Sequence, residues 1–270
     1  LRESGHLLDR ERDGRLKCWR CETIAARSTH VVFFLSCSLL VACQCSADSV
    51  WQTDGAPVCV VGETQETPCV VGLGAAGAMM FWADRRGGQY DIYGQRYSAD
   101  GQAVWSVGGM PICTAAYDQQ FPTAVSDGAG GAIVVWQDGR LGDDGVDLYA
   151  QRVTSSGLLL WATDGAPVCT HVEGVSDPPA AFSQAACADG SGGAIVAWRD
   201  TRTDVVFGNT EIYAQRIGSS GSAQWTFNGV KVLGFGVQNA WPTRSPVIAP
   251  DGSGGAFIVW QDGRSTAASG

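Results

Sequence analysis

The chain reads as an all-β protein, a β-propeller-like array of four-stranded antiparallel blades. Three observations predict this. Trp51, Trp105, Trp161 and Trp225 hold equivalent places at spacings of 54, 56 and 64 residues, and self-similarity at such a period marks a stacked repeat. The repeated segments are rich in Val, Ile, Tyr and Trp and are parted by Gly, Asp, Asn and Ser. That is strand-and-turn chemistry, with no apolar 3.6-residue period long enough for a helix. Finally, one segment of each unit is apolar on both faces. In the best-formed copy Ala132, Val134 and Trp136 point one way, and Ile133 and Val135 the other. A strand apolar on both sides needs cover on both sides, which sheets packed face to face around an axis supply.

Each unit has four segments. The first is a short apolar run closed by Asp-Gly: AVSDG at 124–128, ACADG at 186–190 and IAPDG at 248–252. Its glycines tolerate the positive φ that tight hairpin turns require. The second is GGAIVVWQD at 130–138, GGAIVAWRD at 192–200 and GGAFIVWQD at 254–262, with GAMMFWAD at 77–84 as a degenerate copy. Trp136, Trp198 and Trp260 are expected to be buried there. The third is DIYGQRY at 91–97, DLYAQRV at 147–153 and EIYAQRI at 211–217. The fourth starts at each repeat tryptophan: WQTDGAPVC, WSVGGMPIC, WATDGAPVC and WTFNGVKVL. Over residues 48–270 this makes three full units with partial units at both ends. The last one stops after its second strand, so the sequence reads as a truncated propeller, three to four blades against the four to eight usual for such rings.

Residues 1–47 stand outside the repeat. Residues 1–30 hold seven basic and five acidic side chains without apolar periodicity and read as an upstream leader or read-through segment. Cys18 and Cys21 form a CxxC, but no second ligand pair follows at zinc spacing. Residues 31–42, VVFFLSCSLLVA, are uncharged and apolar, too short to span a bilayer but suited to the core of a secretion signal. Leu40-Val41-Ala42-Cys43 resembles the lipobox of bacterial lipoproteins, which implies lipidation of Cys43 as the first residue of the mature chain. Cleavage after Ala47, as in simple secretion, is the alternative. Residues 31–47 therefore read as signal, lipobox and tether, and the expected location is exported, at the cell surface or outer membrane, or secreted.

Residues 44–270 carry 22 acidic and 11 basic side chains, with Lys231 as the one lysine and His171 as the one histidine. Such a surface repels nucleic acid and anionic membranes. No nucleic-acid partner is expected, and membrane contact only through a lipid anchor. Cys59, Cys113 and Cys169 share one repeat position, filled by Leu233 in the fourth copy, which reads as buried packing rather than cross-linking.

Taken together, GGAIVVWQDGR, DLYAQRV and WATDGAPVC resemble tandem repeats of large secreted or surface bacterial proteins. The resemblance spans about residues 51–264 and implies a β-propeller fold in an extracellular setting. It assigns no activity and no catalytic residues.

Three groups of residues are candidates for chemistry. A W-x-D-x-R pattern recurs at Trp82-Asp84-Arg86, Trp136-Asp138-Arg140, Trp198-Asp200-Arg202 and Trp260-Asp262-Arg264, and a Gln-Arg pair at Gln95-Arg96, Gln151-Arg152 and Gln215-Arg216. Because they recur in each unit, turn-tying is the preferred role, with Asp accepting backbone N–H bonds and Arg pairing to it in bidentate fashion. The Asp-Gly-Ser-Gly-Gly loops supply one carboxylate each, where calcium wants several oxygens. Asp143, Asp144 and Asp147 are the best single place to look for that ion. His171, Glu173 and Asp177 share one inter-strand loop without counterparts in other units. There is no G-x-S-x-G, no HExxH and no phosphate-binding glycine loop, so the sequence assigns no catalytic residue, metal or cofactor. The expectation is a non-catalytic exported or surface-anchored module whose loops, 141–146, 171–184 and 203–210, bind protein or polysaccharide, or a scaffold. The alternative is a propeller-type glycan hydrolase with its acids, such as Glu173 and Asp177, in those loops.

Overall fold

The computed structural model describes residues 57–142, 146–170, 183–200, 211–233 and 245–261. Cys43 and all of residues 1–56, Glu173 and Asp177 with the loop 171–182, Asp143 and Asp144, Arg202 with 203–210, and Asp262 and Arg264 lie outside the described residues.

Among the described residues the fold is all-β, a β-propeller-like array built as expected. Strands β1 (Gln65–Gly72), β2 (Ala78–Asp84), β3 (Asp91–Tyr97) and β4 (Met110–Cys113) form the first sheet. The second holds β5 (Gln119–Ser126), β6 (Ala132–Asp138), β7 (Asp147–Val153) and β8 (Ala166–Cys169). The third holds β9 (Ala185–Ala188), β10 (Ala194–Asp200), β11 (Glu211–Ile217) and β12 (Val230–Leu233), and a two-stranded fourth holds β13 (Val247–Pro250) and β14 (Ala256–Val259). Strand order within each sheet follows the sequence and every pairing is antiparallel. The first strands β1, β5, β9 and β13 neighbour one another in succession, so they form the inner side of the array.

The Asp-Gly signals become turns for a local reason. Asp127 Oδ1 accepts the N–H groups of Ala129 (2.8 Å) and Gly131 (2.7 Å). Asp189 does the same for Ser191 and Gly193, and Asp251 for Ser253 and Gly255. These carboxylates thus tie their own turns through backbone donors, the turn chemistry the sequence suggests. In the first sheet Leu73 stands where the others have Asp, and a short 3-10 turn, Gly74–Ala76, makes the link instead. Arg96 feels the loss. Its counterparts Arg152 and Arg216 pair with Asp127 and Asp189 at 3.0 and 2.9 Å, whereas the buried Arg96 Nε has no hydrogen-bond partner.

The two-sided apolar pattern of the second strands is what joins the sheets. Ala132, Val134 and Trp136 of β6 share a buried cluster with Met79, Phe81, Ile92 and Ile112 of the first sheet. Ile133 and Val135, on the opposite face of β6, share another with Ala194, Val196 and Trp198 of β10. Each of these contacts thus sets the apolar face of one second strand, Met79 and Phe81 or Ile133 and Val135, against the tryptophan face of the next.

Three expectations need correction. Trp136 and Trp198 are fully buried, but Trp260 is half-buried and follows the end of β14 rather than lying in it. The fourth segments are strands only over their last four residues (Met110–Cys113, Ala166–Cys169, Val230–Leu233), because Gly109, Gly165 and Gly229 hold positive φ of 88, 94 and 87° just before them. Residues 57–59, expected to end a strand, are irregular. Cys113 and Cys169 are buried as expected, and Cys59 is half-buried. Their setting is more polar than apolar packing implies, since Cys113 Sγ lies 3.8 Å from Arg140 Nη2.

Candidate functional site

The two ends of each sheet differ. At one end the β1–β2, β5–β6, β9–β10 and β13–β14 turns are each five residues long and close on themselves. At the other end the β2–β3, β6–β7 and β10–β11 connections and the passages from one sheet to the next vary in length between units. Loops on a rigid sheet scaffold are where binding and catalysis concentrate, so the second end is the candidate site.

Its framework is the W-x-D-x-R pattern. Trp136 Nε1 donates to Asp138 Oδ2 at 2.7 Å, and Arg140 grips both oxygens, Nε to Oδ1 at 2.8 Å and Nη2 to Oδ2 at 2.6 Å. The Arg140 backbone N–H adds a bond to Oδ1 at 2.9 Å, and Nη2 also reaches the Asp164 carbonyl at 2.7 Å. The guanidinium lies over the Tyr149 ring, 3.6 Å from its centroid. Trp82, Asp84, Arg86, Gly108 and Tyr93 repeat this arrangement, and Trp198 donates to Asp200 at 2.8 Å. The glutamines are equally occupied. Gln151 Nε2 donates to the Ala162 carbonyl while its Oε1 accepts the Arg152 and Trp161 N–H groups. These residues hold the fold, as their repetition suggested.

The acids placed opposite them are different. In the β2–β3 register Asp84 faces Asp91, and the equivalent pairs are Asp138 with Asp147 and Asp200 with Glu211. Opposed residues in an antiparallel pair bring their Cβ atoms to about 5 Å, so each of the three four-stranded sheets ends in two adjoining acids. In the third sheet Lys231 Nζ reaches Glu211 Oε1 at 2.8 Å. In the first sheet that strand position is Pro111, and no lysine answers Asp91.

The consequence is a split in proton affinity. Burial alone would raise Asp84, but its bonds from Arg86 and Trp82 outweigh that and hold it below the ordinary carboxylate range. Asp91 is pushed up to about 6, first by burial and then by the carboxylates of Asp84, Asp164 and Asp118, against a smaller pull from Arg86. Two neighbouring carboxyls driven apart in this way are the mark of an acid–base pair. Asp118 also fixes the neighbourhood, its Oδ1 accepting the Tyr90 N–H at 2.9 Å, and Tyr90 in turn donates its hydroxyl to Glu66.

Sequence reading singled out Asp84 but passed over Asp91. The signal was present, since acids begin the third segments (Asp91, Asp147, Glu211) and end the second. It takes the hairpin register to make those ends adjacent. Among the described residues no group of three His, Cys, Asp or Glu side chains gathers to hold a metal.

No protein-family model matches the chain, and no curated protein matches it in sequence. Solved structures do. An endo-arabinase from Bacteroides thetaiotaomicron is similar at 16% identity over 70% of this chain and 68% of that chain, with a TM-score of 0.38. A GH93 alpha-L-arabinofuranosidase of Fusarium graminearum, solved with arabinobiose, is similar at 13% identity over 75% of this chain and 62% of that chain, with a TM-score of 0.43. The present chain thus spans less than two thirds of the fungal enzyme. Likeness at this level describes a folding pattern and carries no residue across. The expectation of a non-catalytic module is nevertheless corrected by these neighbours, which are an arabinase and an arabinofuranosidase rather than binding modules.

Proposed function

We propose that the chain belongs to a propeller-type glycan hydrolase whose substrate lies at the loop-bearing end of the sheets, with Asp91 as its proton-transfer group. The observation that carries this reading is the Asp84–Asp91 pair, one carboxyl held ionised and its neighbour lifted to about 6. A carboxyl titrating near working pH protonates a leaving oxygen efficiently, and glycosidic cleavage uses a pair of acids, one of them raised in this way. Glu173 and Asp177 are the candidates for the remaining carboxylate.

The expected result is turnover of one member of a polysaccharide panel that includes arabinose-containing glycans. Acting as proton donor, Asp91 makes the rate fall as pH rises through about 6. Asp91→Asn lowers turnover by roughly 10²–10⁴-fold. The same substitution stabilises the fold at neutral pH. An acid whose folded pKa exceeds its unfolded value is a liability when ionised, and the gain disappears below about pH 4, where both states are protonated. Unchanged turnover in Asp91→Asn, or no turnover across the panel, defeats the proposal.

Export is part of the same reading, since a glycan substrate is met outside the cell. With the resemblance at Leu40–Cys43, it predicts that a labelled fatty acid tags the protein in a bacterial host and that Cys43→Ser removes the tag. Continued export without label means cleavage after Ala47 instead.

A further inference from the structure

Two aromatic residues at the loop-bearing end of the second sheet have a backbone conformation that bulky side chains seldom adopt. Tyr117 has a φ of 60° and Phe121 one of 52°, in the left-handed region where such residues are outliers. They are 53% and 45% exposed, and neither belongs to the clusters that join the sheets. The bend itself is part of the repeat. Gln65 and Gln119 stand opposite Asp84 and Asp138. Counted from these glutamines, Glu63 and Thr67 hold the matching places in the first sheet, with φ of 75 and 48°. Phe121 falls in the register shift between Gln120 and Thr123, and Thr67 in the one between Glu66 and Cys69. By strand register, the third and fourth units carry Ser183 and Ser245 at that place. The bend therefore needs no aromatic ring, and of these four units the second carries one.

This stretch is fastened to the acid pair. Tyr117 N–H donates to Gln89 Oε1 at 3.1 Å, Tyr90 N–H to Asp118 Oδ1 at 2.9 Å, and Gln119 N–H to the Tyr90 carbonyl at 2.6 Å. Asp91 follows Tyr90 directly. The tip of the Tyr117 ring lies against Gly142 of the β6–β7 connection, where an added Cβ would come within 3.2 Å of Tyr117 Cζ. The Phe121 carbonyl accepts Gln184 Nε2 from the segment that leads into β9.

We propose that Tyr117 and Phe121 are the sugar-binding aromatics of this site, on which rings of the glycan stack beside the bond cleaved at Asp91. The C–H face of a sugar ring suits the electron-rich face of an aromatic side chain. Its hydroxyls meet carboxylates at the same end, Asp118 next to Tyr117 and Glu66, whose Oε1 accepts the Tyr90 hydroxyl. Aromatic walls with a few placed polar groups are the usual make-up of a ligand site. Backbone strain of this kind persists where a site uses it, and two exposed rings give the fold no packing in return. The inference rests on the glycan-hydrolase reading for the identity of the ligand.

The test sets stability against binding in the full chain. Glycine tolerates positive φ, so Tyr117→Gly and Phe121→Gly are expected to keep or raise the urea midpoint while weakening the hold on glycan. For the polysaccharide that the wild type turns over, KM is expected to rise about tenfold in each variant, with kcat changed less. Tyr117→Phe and Phe121→Trp restore it. Retention of the same polysaccharide in affinity electrophoresis, measured in an Asp91→Asn background, reads binding without chemistry. Unchanged KM and retention in both glycine variants, with turnover still dependent on Asp91, overturn the inference and leave the hydrolase reading standing. A lowered urea midpoint in both variants assigns the rings to the fold and overturns it as well. Retention that the glycine substitutions weaken, in a protein that turns over no glycan, supports the aromatic site and defeats the hydrolase reading. Neither retention nor turnover by the wild type defeats both.

Discussion

Trp136→Ala is expected to destabilise the fold by about 3–5 kcal/mol, the range for removing a large buried aromatic side chain. Trp136 is wholly buried and belongs to the cluster that joins the first two sheets, so its cavity opens between sheets and not at the edge of one. Its indole N–H also satisfies Asp138 Oδ2, and truncation leaves that buried oxygen with one fewer donor. Trp136→Phe keeps most of the volume and loses only the donor, so it should cost less than half as much. Urea unfolding monitored by circular dichroism checks both. A loss under about 1 kcal/mol for Trp136→Ala would mean that the inter-sheet contact contributes little.

The other large effect is expected at Gly165. Its φ of 94° is one that L side chains rarely adopt. An added Cβ would stand 2.5 Å from Trp136 Cη2, 2.7 Å from Cζ2 and 3.0 Å from the Ala150 carbonyl oxygen. Backbone strain of this type costs about 1–3 kcal/mol, and displacing a fully buried ring of the interface adds overpacking of about the same size. Gly165→Ala should therefore cost about 3 kcal/mol or more. Gly128→Ala is the control. It shares a positive φ of 74° but would meet nothing within 4 Å, so only the backbone part applies. Equal losses at the two positions would show that the clash with Trp136 is relieved without cost.

Much of the candidate site was legible in part. The Asp-Arg pairs were read as turn ties, and Arg140 does hold Asp138 through both oxygens. The Gln-Arg pairs were read the same way, and Gln151 does clamp the Trp161 turn. Asp91 went unnoticed because nothing about a single Asp in DIYGQRY distinguishes it from Asp147 in DLYAQRV. Pro111 in the place of Lys231 separates it from Glu211, and its own surroundings are the carboxylates of Asp84, Asp118 and Asp164. The preference for a non-catalytic module followed from that gap, since a site built of recurring residues looks purely structural until one copy is seen to differ in its surroundings.

By itself the sequence determined the strands, their turns and the stacking of units, because these depend on short-range patterns. Alternating apolar residues select the strand, Asp-Gly selects the turn through bonds made within four residues, and an apolar strand with two sides must be covered twice. The tertiary structure alone decided two things: which tryptophans are sealed, and which carboxyl holds its proton near neutrality. Trp260 matches Trp136 residue for residue yet stays half-buried. Each of these is set by what the folded chain brings alongside. Burial and the proton affinity of a carboxyl measure the surroundings of a group, and for Asp91 those surroundings arrive from three other segments of the chain.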